Sequence, residues 1–245
     1  EVVQVGIADP THGAWDEGAD FVGALQASGL ELSGTMIGFP GEDYTSPATI
    51  RETGGFGDPA LRAGRLEIFR YAVDKTAELG LQCLCSHAGF IPEEDGPERS
   101  SFLDCIAEAA QYAGDKDVLF TMETGQETAA LLRRTLDELK LPSLRVNFDP
   151  ANMILYDMGD PIEAIEILGP DIAHVHAKDA NPPQTSGEWG EEVPLGDGSV
   201  GMAAFAEALA KAGYRGPLVV EREVGDQAER IAAIKHGISV LRELT

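Results

Sequence analysis

Cysteine and basic residues are scarce in this sequence, and long apolar runs are absent. Of 245 residues, three are cysteines and 18 are lysines or arginines, against 42 aspartates and glutamates. The formal net charge of −24 repels nucleic-acid phosphates and anionic membranes, so we expect neither as a partner. No stretch reaches the roughly 18 consecutive apolar residues of a membrane-spanning helix. The composition therefore predicts a soluble protein that acts on small molecules.

The three cysteines, Cys83, Cys85 and Cys105, cannot all pair within one chain. The Cys-x-Cys spacing of the first two is not that of a zinc site. We therefore expect buried thiols in a reducing, cytoplasmic compartment. No signal peptide is visible, but the chain enters a strand-like run directly after Glu1. We expect that a preceding segment has been removed, and whether it carried a targeting sequence stays open.

Short apolar segments alternate with helical patterns along the whole chain. Seven predicted strands cover residues 2–7, 30–39, 81–87, 117–123, 144–149, 172–178 and 217–223. Strict alternation indicates parallel strands joined by helical crossovers. An α/β TIM (β/α)8 barrel needs one more strand, so we expect a single barrel domain over 1–245 that lacks its first strand–helix unit. The rival, a doubly wound sheet, is disfavoured because no glycine-rich phosphate-binding turn follows the first strand.

Four consecutive predicted strands end in a residue that can bind a metal ion: Glu123, Asp149, His176 and Glu221. In a parallel barrel the carboxyl ends of the strands meet on one face, where barrel active sites lie. An oxygen-rich set of this kind favours a hard divalent ion over structural zinc. Taken singly, each residue has another explanation, since Asp149 before Pro150 could cap the next helix. The shared register favours one metal site.

Polar residues also lie two positions before three of these ligands, at Thr121, Asn147 and His174. Side chains alternate with period two along a strand, so these residues share a face with the ligands that follow them. A barrel layer at this depth is usually built from valine, isoleucine or leucine. We therefore expect Thr121, Asn147 and His174 to orient the ligands by hydrogen bonds.

Five motifs resemble the sugar phosphate isomerase/epimerase family of the xylose isomerase-like TIM barrel superfamily. They are METG (122–125), NFDPAN (147–152), HVHAKD (174–179), GYRGPL (213–218) and VVERE (219–223). The resemblance implies one bound divalent metal ion, with Mn²⁺ favoured and Mg²⁺, Co²⁺ or Zn²⁺ as alternatives. It implies that Glu123 and Glu221 act as catalytic acid and base on a sugar or keto-sugar through a metal-stabilised enediolate. We also expect a homo-oligomer, either a dimer or a tetramer.

Two departures from the family pattern keep a second activity open. Asn152 stands where ketose 3-epimerases carry a histidine, and Pro182 where they carry an arginine. A lyase or dehydratase that acts on a keto-sugar, keto-inositol or 3-keto-glycoside would use the same first proton abstraction. The related endonuclease IV group needs three zinc ions and more histidines than this chain has. A non-catalytic sugar-binding barrel is a third possibility, against which the intact Glu123 and Glu221 argue.

Five residues are candidates for contact with the substrate: His12, His87, Asn152, Lys178 and Trp189. His87 could instead be a buried core histidine, and Lys178, expected at the rim, could instead form a salt bridge. Two long loops, residues 40–59 and 181–198, are long enough to act as lids. Because no basic cluster is evident, we expect a neutral sugar or keto-sugar rather than a sugar phosphate.

Overall fold

The computed structural model describes residues 2–7 and 21–244, so His12 lies outside the described residues. The described strands are β1 (Val2–Gly6), β2 (Glu31–Met36), β3 (Cys83–Ser86), β4 (Leu119–Glu123), β5 (Leu144–Phe148), β6 (Ile172–Ala177), β7 (Asp179–Asn181), β8 (Glu191–Val193) and β9 (Leu218–Val220). The described helices are α1 (Phe21–Ser28), α2 (Pro47–Thr53), α3 (Arg62–Glu78), α4 (Pro97–Gly114), α5 (Ala129–Leu139), α6 (Pro150–Leu155), α7 (Pro161–Leu168), α8 (Met202–Lys211) and α9 (Gln227–Leu244). A 3-10 turn, Gly169–Asp171, links α7 to β6.

Seven of these strands belong to one sheet in the order β1-β2-β3-β4-β5-β6-β9. The pairs β1–β2, β2–β3, β3–β4, β5–β6 and β6–β9 are parallel. The predicted alternation of parallel strands and helices is therefore confirmed. Within the described ranges, no helix combines the length and the apolar character needed to cross a membrane.

The described residues form two compact units. The first contains those up to Glu123, apart from residues 46–48, together with Thr135–Arg145. The second contains Ser46–Ala48, Thr124–Arg134 and the described residues from Val146 onward. The expectation of a single domain over 1–245 stays a prediction.

The core of the first unit is built around aromatic rings. Phe69 of α3 lies with its ring centroid 4.6 Å from that of Phe120 in β4. Phe56 packs edge-on against Phe39, with centroids 5.0 Å apart, and against Phe69. Such offset and edge-to-face pairs are favoured by the ring quadrupole. The contacts join the loop after β2 to the layer formed by α3 and the sheet.

The first long loop, predicted over residues 40–59, contains the short helix α2 and is tied to α3 by a buried arginine. Arg62 donates from Nε to the carbonyl of Phe56 at 2.7 Å and from NH2 to that of Gly57 at 3.1 Å. Gly55 has a φ of +51°, and a Cβ there would lie 2.0 Å from the carbonyl carbon of Ala88. Only glycine permits that approach. The loop is therefore packed firmly onto the segment that follows β3.

The second long loop, predicted over residues 181–198, contains β8, which forms a small hairpin with β7 at the start of the loop. Strands β7 and β8 pair antiparallel, with Asp179 opposite Val193. Its base is organised by the buried carboxylate of Asp179, which accepts hydrogen bonds from four backbone N–H groups. The donors are Ala180, Gly196, Gly198 and Val200, at 3.0, 3.0, 3.0 and 3.1 Å. The aspartate of HVHAKD thus holds the returning loop in place.

Replacing Asp179 by alanine is expected to lower the free energy of unfolding by about 2–3 kcal/mol, because several N–H groups lose their acceptor at once. Urea unfolding followed by circular dichroism measures the change. Asp197 in the same loop is exposed and provides the matched control as Asp197→Ala. Equal stability of the two variants would contradict the assignment.

Candidate metal centre

Glu123, the last residue of β4, is a buried carboxylate with two neighbours on β3 and just beyond it. Its side chain is 4% exposed. The thiol of Cys85 donates to Oε2 of Glu123 at 3.4 Å, and Nε2 of His87 lies 3.6 Å from the same oxygen. Cys85 was not recognised as part of the site from sequence. The sequence could have indicated its place, because residues 85 and 87 of the predicted strand 81–87 lie on the same face.

His87 is held by the packed loop of the first unit. The N–H of Phe56 donates to the carbonyl of Ala88 at 2.7 Å, next to His87. The side chain of His87 is 16% exposed, and its Nδ1 is buried with no hydrogen-bond partner among the described residues. One ring nitrogen therefore faces Glu123, and the other is a buried polar atom without a partner among the described residues. The expected contact of His87 with substrate stays a prediction.

Asp149 follows β5 and caps α6. Its Oδ1 accepts the N–H of Asn152 at 2.9 Å, and its own N–H donates to Oγ1 of Thr124 at 2.8 Å. Gly125 of METG allows this segment to lie close, because a Cβ there would be 2.5 Å from Cβ of Asn152. Oδ2 of Asp149 lies 3.9 Å from Nδ1 of His176. The cap uses one carboxylate oxygen, so the capping explanation and the metal-ligand prediction are compatible.

His176 and Glu221 lie side by side at the ends of β6 and β9. The register pairs His176 with Val219, and the N–H of Glu221 donates to the carbonyl of Ala177 at 3.2 Å. Nδ1 of His176 is 3.4 Å from Oε2 of Glu221. Burial raises the pKa of the Glu221 carboxyl, but the charges and hydrogen bonds of His176 and Lys178 outweigh it, so this pKa lies well below its usual value. Glu221 is therefore held as a carboxylate.

The four predicted ligands meet the geometric requirement of one metal site. Glu123, Asp149, His176 and Glu221 each offer one ligand atom, and these atoms all lie within 4.8 Å of one another. Ligands on opposite sides of a divalent ion are about 4–4.5 Å apart, since each bond is about 2.0–2.2 Å. Three carboxylates suit Mg²⁺ or Mn²⁺, and the imidazole is a donor that also suits Zn²⁺. The cluster can hold a metal ion, and the identity of the ion stays a prediction.

The three residues expected to orient the ligands differ in what they contact. The register pairs Asn147 with His174, and Oδ1 of Asn147 lies 2.7 Å from Nδ1 of His174. The rings of His174 and His176 pack edge-to-face, with centroids 5.8 Å apart. The hydroxyl of Thr121 instead donates to the carbonyl of Leu84 at 3.1 Å, across to β3. The orienting roles of all three residues stay predictions.

Lys178 is buried, whereas the sequence placed it at the rim. Its side chain is 1% exposed, and Nζ lies 3.1 Å from Oε2 of Glu221. Nζ also donates to Oδ1 of Asn152 at 3.3 Å and to a carboxylate oxygen of Glu223. The salt-bridge alternative for Lys178 is therefore present in the structure. Contact of Lys178 and Asn152 with substrate stays a prediction.

The small hairpin braces the segment that carries Glu221. Glu192 of β8 is buried, and its Oε1 accepts from NH1 of Arg222 at 2.8 Å and from the N–H of Glu223 at 3.1 Å. Arg222, next to the candidate ligand Glu221, therefore forms a salt bridge with a buried partner. The burial of Glu192 could not be predicted from the sequence, because the residue lies in a polar stretch that is typical of an exposed loop.

Trp189 precedes the hairpin strand β8 and is partly buried against Tyr156. Their ring centroids are 4.7 Å apart in an edge-to-face arrangement. The N–H of Gly190 donates to the carbonyl of Leu155 at 3.2 Å, which fixes this turn to the end of α6. Packing against Tyr156 thus buries part of the side chain of Trp189. Stacking of its ring on a sugar stays a prediction.

Comparison with known proteins places the chain in a family. The sequence matches the xylose isomerase-like TIM barrel family over residues 2–244. The chain therefore belongs to the xylose isomerase-like TIM barrel family, and the predicted TIM-barrel-type α/β fold class is confirmed. A solved xylose isomerase domain protein from Planctomyces limnophilus is 32% identical, with a TM-score of 0.93 over 99% of this chain and 88% of that one.

Other relatives are sugar epimerases. L-ribulose-5-phosphate 3-epimerase UlaE of Escherichia coli (strain K12) is 28% identical over 173 residues, which cover 68% of this chain. This chain spans 59% of the length of that curated relative. The solved 3-keto-D-glucoside 4-epimerase YcjR from E. coli is 19% identical, with a TM-score of 0.66 over 91% of this chain and 82% of that one. At that identity the likeness is one of fold.

Replacing Asn147 by alanine is expected to lower the free energy of unfolding by about 1–3 kcal/mol, because the buried ring of His174 loses the oxygen beside its Nδ1. Thermal or urea unfolding measures the loss. Asn181→Ala is the control, since the amide of Asn181 makes an exposed bond to Ser199. A loss no greater than that of Asn181→Ala would contradict the importance of the Asn147–His174 pair.

Proposed function

We propose that the protein is a divalent-metal-dependent isomerase or epimerase of a neutral sugar or keto-sugar. The observation that carries the proposal is the gathering of Glu123, Asp149, His176 and Glu221 within 4.8 Å in a chain whose relatives are sugar epimerases. Mn²⁺ is the proposed ion, with Mg²⁺, Co²⁺ or Zn²⁺ as alternatives. The proposed partner is a small carbohydrate, and the expected dimer or tetramer stays a prediction.

Two carboxylates supply the proton chemistry. One of Glu123 and Glu221 removes the proton beside the substrate carbonyl, and the other returns a proton to the opposite face of the resulting enediolate. The lowered pKa of Glu221 keeps it ionised, as a base must be, but also makes it a weaker proton acceptor, so it does not decide between the two glutamates. Glu123 receives a hydrogen bond from the thiol of Cys85, which fixes the direction of its carboxylate. The assignment of acid and base between the two glutamates is left to experiment.

The metal would be held by the side chains of Glu123, Asp149, His176 and Glu221. When bound, a divalent ion supplies fixed positive charge for the oxygen atoms that become negative during proton abstraction. His174 and Asn147 would keep the ring of His176 in one orientation. His87 would donate a hydrogen bond to substrate, and Asn152, Lys178 and Trp189 would line the remainder of its binding site.

Charge favours a neutral substrate over a sugar phosphate. A phosphate group binds best where arginine or lysine donors are free to face it. Lys178, the cation at this site, is already in contact with the carboxylates of Glu221 and Glu223. The carboxylate of Asp149 lies 3.8 Å from it as well, and the chain as a whole carries a net charge of −24. The proposed substrate class therefore differs from the sugar phosphate in the name of the relative UlaE.

The metal site itself is tested by titrating the metal-free protein with Mn²⁺ in a calorimeter. One ion per chain is expected for the wild type, and Asp149→Asn is expected to weaken binding at least 10-fold because a ligand loses its charge. Asp104→Asn on the exposed side of α4 is the matched control and is expected to bind as the wild type does. Absence of binding to the wild type at any Mn²⁺ concentration would refute the site.

A lyase on the same site is the second candidate. The position three residues after Asp149 is Asn152, whose amide contacts Lys178 at 3.3 Å, whereas ketose 3-epimerases carry a histidine there. If the substrate carries a leaving group on the carbon next to the enediolate, that group can depart with the electron pair instead of a proton being returned. A dehydratase or a lyase of 3-keto-glycosides would therefore need no change in the four metal ligands.

Incubation of the Mn²⁺-loaded protein in D₂O separates the candidates. The substrates are L-ribulose, D-allulose, a keto-inositol and a methyl 3-keto-glucoside, followed by NMR and mass spectrometry. Deuterium in an intact, inverted sugar supports epimerisation, and an unsaturated or cleaved product supports the lyase. Glu221→Gln is expected to slow either reaction by about 100-fold or more, as loss of an acid–base group does.

The matched control is Glu188→Gln, in the exposed part of the second long loop, which is expected to retain wild-type rates. A wild-type protein that exchanges no deuterium with any of these substrates, and whose sugar binding is unchanged in Glu221→Gln, would refute both enzyme candidates. That result would favour a sugar-binding barrel.

A further inference from the structure

Lys178 carries a buried ammonium group that is enclosed by oxygen atoms of the second unit. Four side chains place an oxygen near Nζ: Glu221 at 3.1 Å, Asn152 at 3.3 Å, Asp149 at 3.8 Å, and Glu223 in direct contact. Three of the four are carboxylates and the fourth is an amide carbonyl. These are the donors that hard metal ions accept. An ammonium group thus occupies a position whose surroundings are those of a cation site.

Two of these oxygens belong to proposed metal ligands. Oε2 of Glu221 lies 3.1 Å from Nζ of Lys178 and 3.4 Å from Nδ1 of His176. Oδ2 of Asp149 likewise lies near both groups, at 3.8 and 3.9 Å. In two-metal sites, carboxylates commonly lie between two cations that are about 3.5–4 Å apart. Here one of the two places beside the shared carboxylates is filled by Lys178.

The carboxylates of the proposed centre call for more positive charge than one divalent ion supplies. Asp149, Glu221, Glu223 and the fourth proposed ligand, Glu123, carry four negative charges. One divalent ion together with the ammonium of Lys178 supplies three positive charges. Without Lys178, one divalent ion would leave two negative charges in excess, and a second divalent ion would balance them.

The four side chains around Nζ (Asp149, Asn152, Glu221 and Glu223) form what we call the oxygen cage. Contacts that do not involve Lys178 hold parts of this cage in place. Asp149 is fixed by its cap of α6, and Asn152 lies in that helix. Glu223 donates its N–H to Glu192, which is also paired with Arg222. The side chain of Glu223 is 65% exposed, so an ion can reach the cage from solvent on that side. The cage is therefore expected to persist when the lysine is shortened.

We propose that Lys178 is a built-in cation that takes the place of a second metal ion, so that the centre holds one divalent ion and one ammonium group. The inference rests on the proposed metal site and deepens it. It assigns to Lys178 and Glu223 a role as a counter-ion pair that sets the number of metal ions bound. It also explains why a lysine is buried beside three carboxylates.

The test counts Mn²⁺ ions bound per chain by calorimetry and by metal analysis after gel filtration. The wild type is expected to bind one ion and Lys178→Ala two. Lys178→Arg, which retains the positive charge, and the exposed control Lys211→Ala are expected to bind one. The double variant Lys178→Ala/Glu223→Gln is expected to return to one ion, because the cage loses a carboxylate.

The outcomes separate this inference from the metal site beneath it. A wild type that binds no Mn²⁺ would overturn both. One ion in the wild type and one in Lys178→Ala would overturn the inference alone, and tighter binding of that ion would mean that Lys178 competes for the first position. If Lys178→Ala is unfolded, Mn²⁺ or methylammonium is expected to restore a cooperative thermal transition. Failure of both cations to do so would also overturn the inference.

Discussion

Several carboxylates are buried beside one another at the ends of the strands. Asp149 is fully buried, Glu123 is 4% exposed, and Glu221 lies against His176. Buried like charges repel, and each has lost its hydration, so such a cluster is stable only with positive charge or hydrogen-bond donors close by. The buried ammonium of Lys178, the ring of His176 and the thiol of Cys85 supply part of that compensation.

Asp149 and Glu221 both lie just after the end of a strand, but different backbone contacts hold them in place. Asp149 is fixed because it caps α6, and Glu221 because its N–H continues the pairing of β6 with β9. The small hairpin then holds the segment after Glu221 through Glu192. Asp179, directly after Lys178, orders the base of that hairpin. The motif HVHAKD thus contributes both a candidate ligand and the anchor of the loop that braces another.

The sequence allowed the parallel α/β fold and the four candidate ligands to be predicted, because both depend on local periodicity. Apolar runs alternating with helical patterns require parallel strands, and period-two alternation places a ligand and its predecessor on one face. The burial of Lys178 could not be predicted in this way. It depends on Glu223 and Asn152, which are distant in sequence and meet only after folding. The hairpin and Glu192 were missed for the same reason, since polar residues that pair with each other read as an exposed loop.

The same electrostatics connects stability with activity. With Lys178, His176 and Cys85 as its partners the cluster still keeps excess negative charge, which would disfavour the folded state unless a divalent ion binds. Replacement of the carboxylates by amides would relieve that repulsion, but it would also remove the groups that we propose bind the ion and move protons. Stabilising and functional demands therefore conflict at these positions, as they commonly do at active sites. Asp179, Glu192 and Gly55 lie outside the cluster. Their contacts can therefore stabilise the fold without altering the charge of the cluster.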